Sequence, residues 1–300
     1  MTSRYMNLMS DYAFKRIFGT EENKNILIKF LNTIVDENDK IIDVTFRDKE
    51  ALPIEEDGKR MVYDIYCLTH DKRHIIVEMQ KSLQPTFAER SLLYCTNLLM
   101  RQLRSGGGYA INPVYGIFLM DFHLVGHEPK MVRRIGLVDI ENNEIFSDKL
   151  KMTYLDLRLM VCNSLEECSD PLEEWMYLIK NLENMENKPK NYPMYDDLFD
   201  AADITHLAAD DVVSYANSRQ KMLDDQEGMA YYGEQQRAKG KAEGRAEGRA
   251  EGRSEGRVEG AMGVLRTLAN KFKAQGMGIS EIAGLLDCDS KTVESLLGIK

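Results

Sequence analysis

Residues 63–81 read YDIYCLTHDKRHIIVEMQK, and this stretch decides how the chain is expected to fold. Two apolar runs flank the polar segment HDKR, a pattern typical of an antiparallel β-hairpin. Each run carries one carboxylate, Asp64 in the first arm and Glu78 in the second. Side chains alternate along a strand, and both acids stand seven residues from Asp71. A turn centred at Asp71 therefore places the two acids directly opposite each other.

Two like charges in opposite positions destabilise a hairpin, and burying them among apolar residues costs more unless something compensates. Three compensations are open. A Lys or Arg could pair with the acids, one acid could be protonated, or a divalent cation could bind between them, since hard cations choose carboxylate oxygens. A slip of one residue in the register would put the acids on opposite faces, so the hairpin pattern alone does not establish that they lie together.

Apolar periodicity predicts six elements in the first 122 residues, in the order helix, three strands, helix, strand. The predicted ranges are 10–36 for one or two helices broken near Gly19, 41–52, 60–69 and 74–80 for the strands, 85–104 for the long helix and 114–122 for the last strand. This αβββαβ order predicts an α/β core over residues 1–160, to which residues 131–159 add further strand-like runs.

Three further segments follow the predicted core. Residues 161–236 have an acidic, helical pattern and predict a helical extension. Residues 237–261 contain the tetrad AEGR three times and then SEGR and VEGA. Residues 262–300 predict a small helical module with the cadence of a helix-turn-helix. Because only Lys291 is basic in its second predicted helix, a packing or assembly module is favoured over a unit that reads DNA sequence.

The tetrad repeat leaves two structures open. Each interior glycine costs about 0.5–1 kcal/mol relative to alanine, and the period of four sets Glu against Glu and Arg against Arg at i,i+4. A flexible or partly helical linker is therefore the preferred interpretation of residues 237–261. The alternative is a helix whose glycine stripe lets a second helix approach closely, which would give a homo-oligomer through the C-terminal helices.

The composition limits the class of protein. The chain has 300 residues and a net charge of −10, but residues 126–236 hold much of the acidity, with 23 Asp and Glu against 11 Lys and Arg. Whole-chain charge is therefore a weak guide to a local surface. The longest apolar runs fall short of the roughly 20 residues that span a bilayer. Five cysteines without a CxxC pair indicate reduced thiols, so we expect a cytoplasmic protein with no membrane partner.

Several motifs resemble those of the PD-(D/E)XK nuclease superfamily, and more closely those of its recombination-promoting nuclease/putative transposase branch. They are SDYAFKRIFG at 10–19, Asp64 within VYDIYC, IIVEMQK at 75–81, FAERSLLYCTNLL at 87–99 and NPVYGIFLMDF at 112–122. The trailing EGR tetrads are also similar to tails in that group. The resemblance covers most of residues 5–260 and implies a restriction-endonuclease-like fold with a mostly helical C-terminal extension.

The resemblance implies cleavage of phosphodiester bonds in DNA with Mg²⁺ or Mn²⁺, in the service of recombination or transposition. Asp64 is expected to bridge the metal and Glu78 to be a second ligand, while the metal polarises the phosphate and lowers the pKa of an attacking water. Gln80 stands two residues after Glu78, where the superfamily has a catalytic lysine. Glutamine can orient a water by hydrogen bonding but supplies no positive charge.

Four other residues are candidate accessory groups. Lys15 reaches the site only if the first helix packs beside the hairpin. Asp11 matches the opening motif of the branch, although a helix-cap role explains it equally well. Arg90 and Tyr94 lie one turn apart on one face of the long helix, where they could touch a phosphate or orient Glu78. Tyr94 could equally be a core residue.

Two rival functions stay open at the level of sequence. A catalytically weak nuclease fold could serve as a DNA-binding or assembly protein, and Gln80, the overall acidity and the weak recognition helix favour it. A purely structural role would have Asp64 and Glu78 paired with Lys or Arg. The preferred interpretation is a metal-dependent endonuclease with DNA as its partner.

Overall fold

A six-stranded mixed β-sheet with helices on both faces organises the first of two compact units. The structure is a computed structural model that describes residues 3–48, 50–51, 61–103, 106 and 108–299. The two units comprise residues 1–223 and 224–300.

The predicted antiparallel hairpin is present in the sheet. It consists of strand β4, Ile65–Thr69, and strand β5, His74–Gln80. Lys72 takes the left-handed conformation, with φ at 66°, in the turn between them. The register of this ladder, extended by one pair beyond its end, sets Asp64 level with Glu78. The predicted register is therefore correct.

Four further strands complete the sheet. They are β1 (Val44–Phe46), β6 (Val114–Met120), β7 (Val132–Val138) and β8 (Ile145–Asp156). The strand order is β1-β4-β5-β6-β8-β7, in which β5, β6 and β8 run parallel and the other neighbours antiparallel. A separate two-stranded ladder joins β2 (Glu50–Ala51) to β3 (Met61–Val62).

Five helices of the first unit pack on this sheet or beside it. They are α1 (Asp11–Phe18), α2 (Lys24–Leu31), α3 (Phe87–Met100), α4 (Pro171–Asn181) and α5 (Asp196–Ala202). Helix α1 ends at Gly19, where the sequence predicts a break. Helix α3 is the crossover that joins the parallel strands β5 and β6, a connection that parallel pairing requires. The αβββαβ core and its α/β class are confirmed.

The sheet separates two apolar cores, and strand alternation decides which residues enter each. Ile75 and Val77 of β5 pack in a cluster with residues of α1, α2, α4 and α5, and this cluster contains Trp175. Ile76 packs in a second cluster beneath α3 that contains Phe87. Side chains two apart share a face, so Glu78 lies on the α3 side with Ile76.

The segment predicted as a separate helical extension contributes to the larger of these cores. Trp175 of α4 lies 6.1 Å from Phe18 of α1 and 5.7 Å from Phe30 of α2, between ring centroids. Residues 161–223 therefore fold in the same compact unit as the sheet. The segment boundaries at 160, 236 and 261 stay predictions.

The tetrad repeat lies inside one long helix, α6, Ala209–Ala274. A helix thus replaces the flexible or partly helical linker that the glycines favour. The physical reason is composition, because the other three positions of each tetrad are mostly Ala, Glu and Arg, which are strong helix formers. The like-charge pairs that argue against a helix cost only tenths of a kcal/mol each, on the order of the values for exposed pairs.

The second unit ends in two short helices, α7 (Ile279–Leu286) and α8 (Ser290–Leu297). A small apolar core joins them to the end of α6, and Ala269, Ile282 and Val293 are buried in it. Within the part of the chain that the structure describes, none of the helices combines the length and the apolarity needed to cross a bilayer.

Candidate active site

Asp64 and Glu78 each accept a hydrogen bond from a backbone N–H in the other acid's arm of the hairpin. The Asp64 N–H donates to Glu78 Oε1 at 2.9 Å, and the Met79 N–H donates to Asp64 Oδ2 at 3.0 Å. Glu78 is 5% exposed, and the Asp64 side chain is 21% exposed. The two carboxylates therefore converge on one place, as the sequence analysis expects, and each is fixed by a charge-assisted hydrogen bond.

The end of the β4 ladder explains this exchange of hydrogen bonds. Asp64 lies just before the first residue of β4, so its N–H is no longer used by the strand ladder. A buried N–H must find an acceptor, and the Glu78 carboxylate supplies one. On its other side, Glu78 is level with Phe118 of the parallel strand β6. The acid pair thus marks the point where β4 and β5 part.

Burial and mutual repulsion disfavour the state in which Asp64 and Glu78 are both ionised. Burial first, and then the charge of Asp64, raise the pKa of Glu78 to about 8. Burial also raises the pKa of Asp64, against the opposing effect of the Met79 N–H and the Lys15 charge. A cation placed against the carboxylates would reverse both effects, because it favours their ionised forms.

Helix α1 supplies one positive charge to the pair. Lys15 Nζ lies 2.7 Å from Asp11 Oδ1 and 3.5 Å from Asp64 Oδ1. Helix α1 therefore packs beside the hairpin, which is the condition for Lys15 to take part. Burial lowers the pKa of Lys15, but the hydrogen bond that Lys15 donates to Asp11 and the charges of Asp64 and Asp11 raise it overall.

Asp11 belongs to this network as an ion-pair partner and not as a helix cap. The N-cap of α1 is Ser10, whose hydroxyl accepts from the Ala13 N–H at 3.3 Å. Asp11 lies in the first helical turn, and its side chain is 66% exposed. Its carboxylate therefore holds Lys15 in place from the solvent side.

Arg90 of helix α3 supplies a second positive charge and is hydrogen-bonded to Gln80. Arg90 Nη2 donates to Gln80 Oε1 at 2.7 Å, and Arg90 Nη1 donates to Gln84 Oε1 at 2.5 Å. Gln80 Nε2 donates to the Ser82 carbonyl at 3.2 Å. The guanidinium thus lies where a lysine at position 80 would bring its charge, and this charge lowers the pKa of Glu78.

Two aromatic rings hold the guanidinium of Arg90. Its Cζ lies 5.1 Å from the Phe87 ring centroid and 5.6 Å from that of Tyr94, within the range of cation–π attraction. Tyr94 also meets Tyr63 edge to face at 5.3 Å. Among the atoms the structure describes, the buried Nε of Arg90 has no hydrogen-bond partner. This orphaned donor is available to a water or to a substrate oxygen.

The donor set fits a magnesium-type ion. Within the described ranges, three His, Cys, Asp or Glu side chains do not gather around any point that could hold a metal. These residues therefore do not form a closed structural zinc site, which takes four protein ligands. Mg²⁺ is commonly held by one or two carboxylates and completes its shell with water and phosphate oxygens. Asp64 and Glu78 would hold such an ion.

The structure places the seven candidate residues in two neighbouring sets of contacts. Glu78, Asp64, Lys15 and Asp11 form the first. Gln80, Arg90 and Tyr94 form the second, and the charge of Arg90 acts on Glu78. Sequence reasoning missed Gln84, which fixes the second nitrogen of Arg90, and the Met79 N–H. Gln84 lies in the polar stretch between β5 and α3, where no periodicity marks it.

The site thus combines an acid pair, at the point where β4 and β5 part, with a guanidinium that is hydrogen-bonded to Gln80. A comparison with known families matches residues 8–232 to the PD-(D/E)XK nuclease family transposase group. The chain belongs to this family, which confirms the resemblance seen in the sequence. Searches of curated proteins and of solved structures found no match.

The raised pKa values predict how stability depends on pH when no divalent cation is present. An unfolded chain gives up the Glu78 proton near the ordinary pKa, whereas the folded chain keeps it to about 8. The free energy of unfolding should therefore fall between pH 5 and pH 8, by up to a few kcal/mol at roughly 1.4 kcal/mol per pKa unit. Urea denaturation of the wild type and of Glu78→Gln in EDTA measures this.

Glu78→Gln removes the titrating group, so its stability should decline less over the same pH interval. Adding Mg²⁺ at pH 8 should raise the unfolding midpoint of the wild type more than that of the variant. Parallel pH curves for the two proteins would contradict the assignment of a raised pKa to Glu78.

Proposed function

We propose that this protein is a metal-dependent endodeoxyribonuclease that hydrolyses phosphodiester bonds in DNA. The observation that carries the proposal is the buried pair of Asp64 and Glu78, whose carboxylates converge while both of their pKa values are raised. A structural pair would be neutralised by its own contacts. Here Lys15 and Arg90 reduce the repulsion but leave Glu78 with a pKa of about 8. A bound cation would therefore further stabilise the ionised form of the pair.

The proposed division of labour follows the contacts. Asp64 and Glu78 would hold Mg²⁺ or Mn²⁺, which when bound polarises the phosphate and lowers the pKa of an attacking water. Gln80 would orient that water by hydrogen bonding, because Arg90 fixes its amide group. The charge of Arg90 would stabilise the negative charge that grows on the phosphate oxygens. The charge of Lys15 would favour the ionised form of Asp64.

The wider role belongs to the same proposal. Family membership supports a nuclease-type function, and DNA is the substrate that the family implies. Backbone cleavage calls for phosphate contacts more than base contacts, so we propose little sequence preference. We also propose that cleavage promotes recombination or transposition, and that the protein acts in the cytoplasm.

Loss of either acid should remove the activity. In a nicking assay on supercoiled plasmid with Mg²⁺, Asp64→Asn and Glu78→Gln should each lower the rate at least about a hundredfold, because each removes a charge that acts on the transition state. Asp148→Asn and Glu144→Gln change exposed acids of the β7–β8 hairpin and serve as matched controls. Equal nicking by all five proteins would point to a contaminant and remove the proposal.

The partnership of Gln80 and Arg90 gives a second test. Arg90→Gln should lower the nicking rate about 10- to 1,000-fold, because the site then lacks the charge that the superfamily's lysine provides. Adding Gln80→Lys to Arg90→Gln restores a positive charge at the motif position and should recover part of the rate. Circular dichroism and the unfolding midpoint control for folding.

A merely structural Arg90 would give a different pattern. Arg90→Gln would then lower the unfolding midpoint, and the double variant would stay as inactive as the single one. That pattern in correctly folded protein contradicts a catalytic charge on Arg90.

An assembly role is a second candidate function, favoured by the C-terminal helix. Each of residues 223–264, all of which the structure describes, is exposed. At about 100° per residue, the Glu and the Arg of each tetrad lie roughly 100° to either side of its Gly, and each tetrad is turned by about 40° relative to the one before. In a parallel pair of such helices, the Glu flank of one faces the Arg flank of the other, whereas an antiparallel pair sets like charges together.

We therefore propose that residues 240–260 pair in parallel with a second copy of the chain. Changing Arg245, Arg249, Arg253 and Arg257 to Glu should abolish the dimer, which light scattering after size-exclusion chromatography measures. The complementary variant, with Glu243, Glu247, Glu251 and Glu255 changed to Arg, should also be monomeric. Mixing the two should give a heterodimer. Wild-type protein that is monomeric at micromolar concentration would contradict the proposal.

A further inference from the structure

A cavity of about 310 Å³ lies on the α3 face of the sheet, and no step of the proposed mechanism uses it. Four elements of the fold supply its walls. Its principal lining residues are Arg47, Tyr63, Tyr66, His74, Arg101 and Gln102. Aromatic rings and guanidinium groups facing one cavity are the side chains that bind single-stranded nucleic acid, through stacking and phosphate contacts.

The aromatic wall of the cavity is fixed by its own contacts. The rings of Tyr66 and His74 are stacked, with centroids 5.9 Å apart and planes inclined by 13°. The Tyr66 hydroxyl lies 2.7 Å from His74 Nδ1. Tyr63 packs 5.7 Å from Tyr66. A rigid ring wall loses little conformational freedom when a base stacks on it.

His74 adds a neutral imidazole to the cavity wall. Burial, and then the charge of Arg47, lower the pKa of His74 below its ordinary value, so the ring is neutral near pH 7. Its Nδ1 shares a hydrogen bond with the Tyr66 hydroxyl, which fixes the orientation of the ring.

Positive charge converges on the same wall from two elements. Arg47 follows β1 and Arg101 follows α3, and the charge of each lowers the pKa of Tyr66 against the larger effect of burial. Asn97 holds the Arg101 side chain, accepting from its Nε at 2.7 Å. Asp48 also lines the cavity.

The distance from the cavity to the acid pair is measured along strand β5. His74 and Glu78 are four residues apart on one face of β5, which corresponds to about 13 Å. One strand of B-form DNA advances about 3.4 Å per nucleotide, so this distance is about four nucleotides. Tyr63, which adjoins Asp64, meets Tyr94 edge to face and so continues the aromatic wall toward the site.

We propose that this cavity binds one unpaired nucleotide of a DNA strand, with its base stacked on Tyr66 and His74 and its phosphate held by Arg47 and Arg101. The inference rests on the proposed nuclease function and deepens it, because it assigns a single-stranded segment to the substrate. Its place along β5 sets that nucleotide a few positions from the phosphate to be cleaved.

Binding without cleavage tests the proposal. A fluorescein-labelled 20-nucleotide single strand is titrated in EDTA, with fluorescence anisotropy as the readout, against the wild type, Arg47→Gln, Tyr66→Leu and Glu78→Gln. Arg47→Gln and Tyr66→Leu should each raise Kd about tenfold, and Arg47→Gln should reduce the slope of log K against log salt by about 0.7. Glu78→Gln should bind like the wild type or more tightly. Arg134→Gln, an exposed arginine on β7, is the matched control.

The outcomes separate this inference from the nuclease proposal. If the wild type nicks plasmid while Arg47→Gln and Tyr66→Leu bind the strand unchanged, the cavity assignment fails and the nuclease proposal stands. If no protein nicks plasmid but both variants bind weakly, the cavity assignment stands alone. Equal losses on a blunt 20-base-pair duplex, or equal affinity for a free deoxynucleoside monophosphate, would overturn the assignment to an unpaired nucleotide in a strand.

Discussion

The exchange of backbone hydrogen bonds between Asp64 and Glu78 is the constraint on which the rest of the site depends. Each carboxylate accepts an N–H from the neighbourhood of the other, so neither acid can turn away without leaving a buried donor unsatisfied. Two negative groups are thus kept together in a buried place, at a cost that shows in their raised pKa values. Lys15 of α1 and Arg90 of α3 bring positive charges that partly offset this cost.

The position of the second charge distinguishes this site from the common motif of its superfamily. A lysine two residues after Glu78 would bring the charge from the same strand as the acid. Here that position is Gln80, and Arg90 reaches it from the following helix, with Phe87, Tyr94 and Gln84 around the guanidinium. In the proposed mechanism, Gln80 would orient the attacking water and Arg90 would stabilise the phosphate, so two side chains would share these roles.

The hairpin register, the αβββαβ order and the acid pair could be predicted, because strand alternation and turn position fix which side chains face each other. The hydrogen bond between Arg90 and Gln80 could not be predicted, because no local sequence pattern indicates how α3 packs against β5. The glycines of the tetrad repeat favour a linker, whereas the Ala, Glu and Arg residues between them favour the helix that is present. The sequence predicts residues 161–236 as a separate extension, because their acidic pattern hides the apolar stripe of α4 that carries Trp175.

The most direct test of the central claim is a calorimetric titration of Mg²⁺ or Mn²⁺ into the protein at pH 7, in buffers of different ionisation enthalpy. If the ion binds between Asp64 and Glu78, whose pKa is about 8 in the free protein, binding must release close to one proton. Glu78→Gln should then bind the ion weakly and release almost none. Binding by the wild type without proton release, or equal binding by Glu78→Gln, would contradict the account.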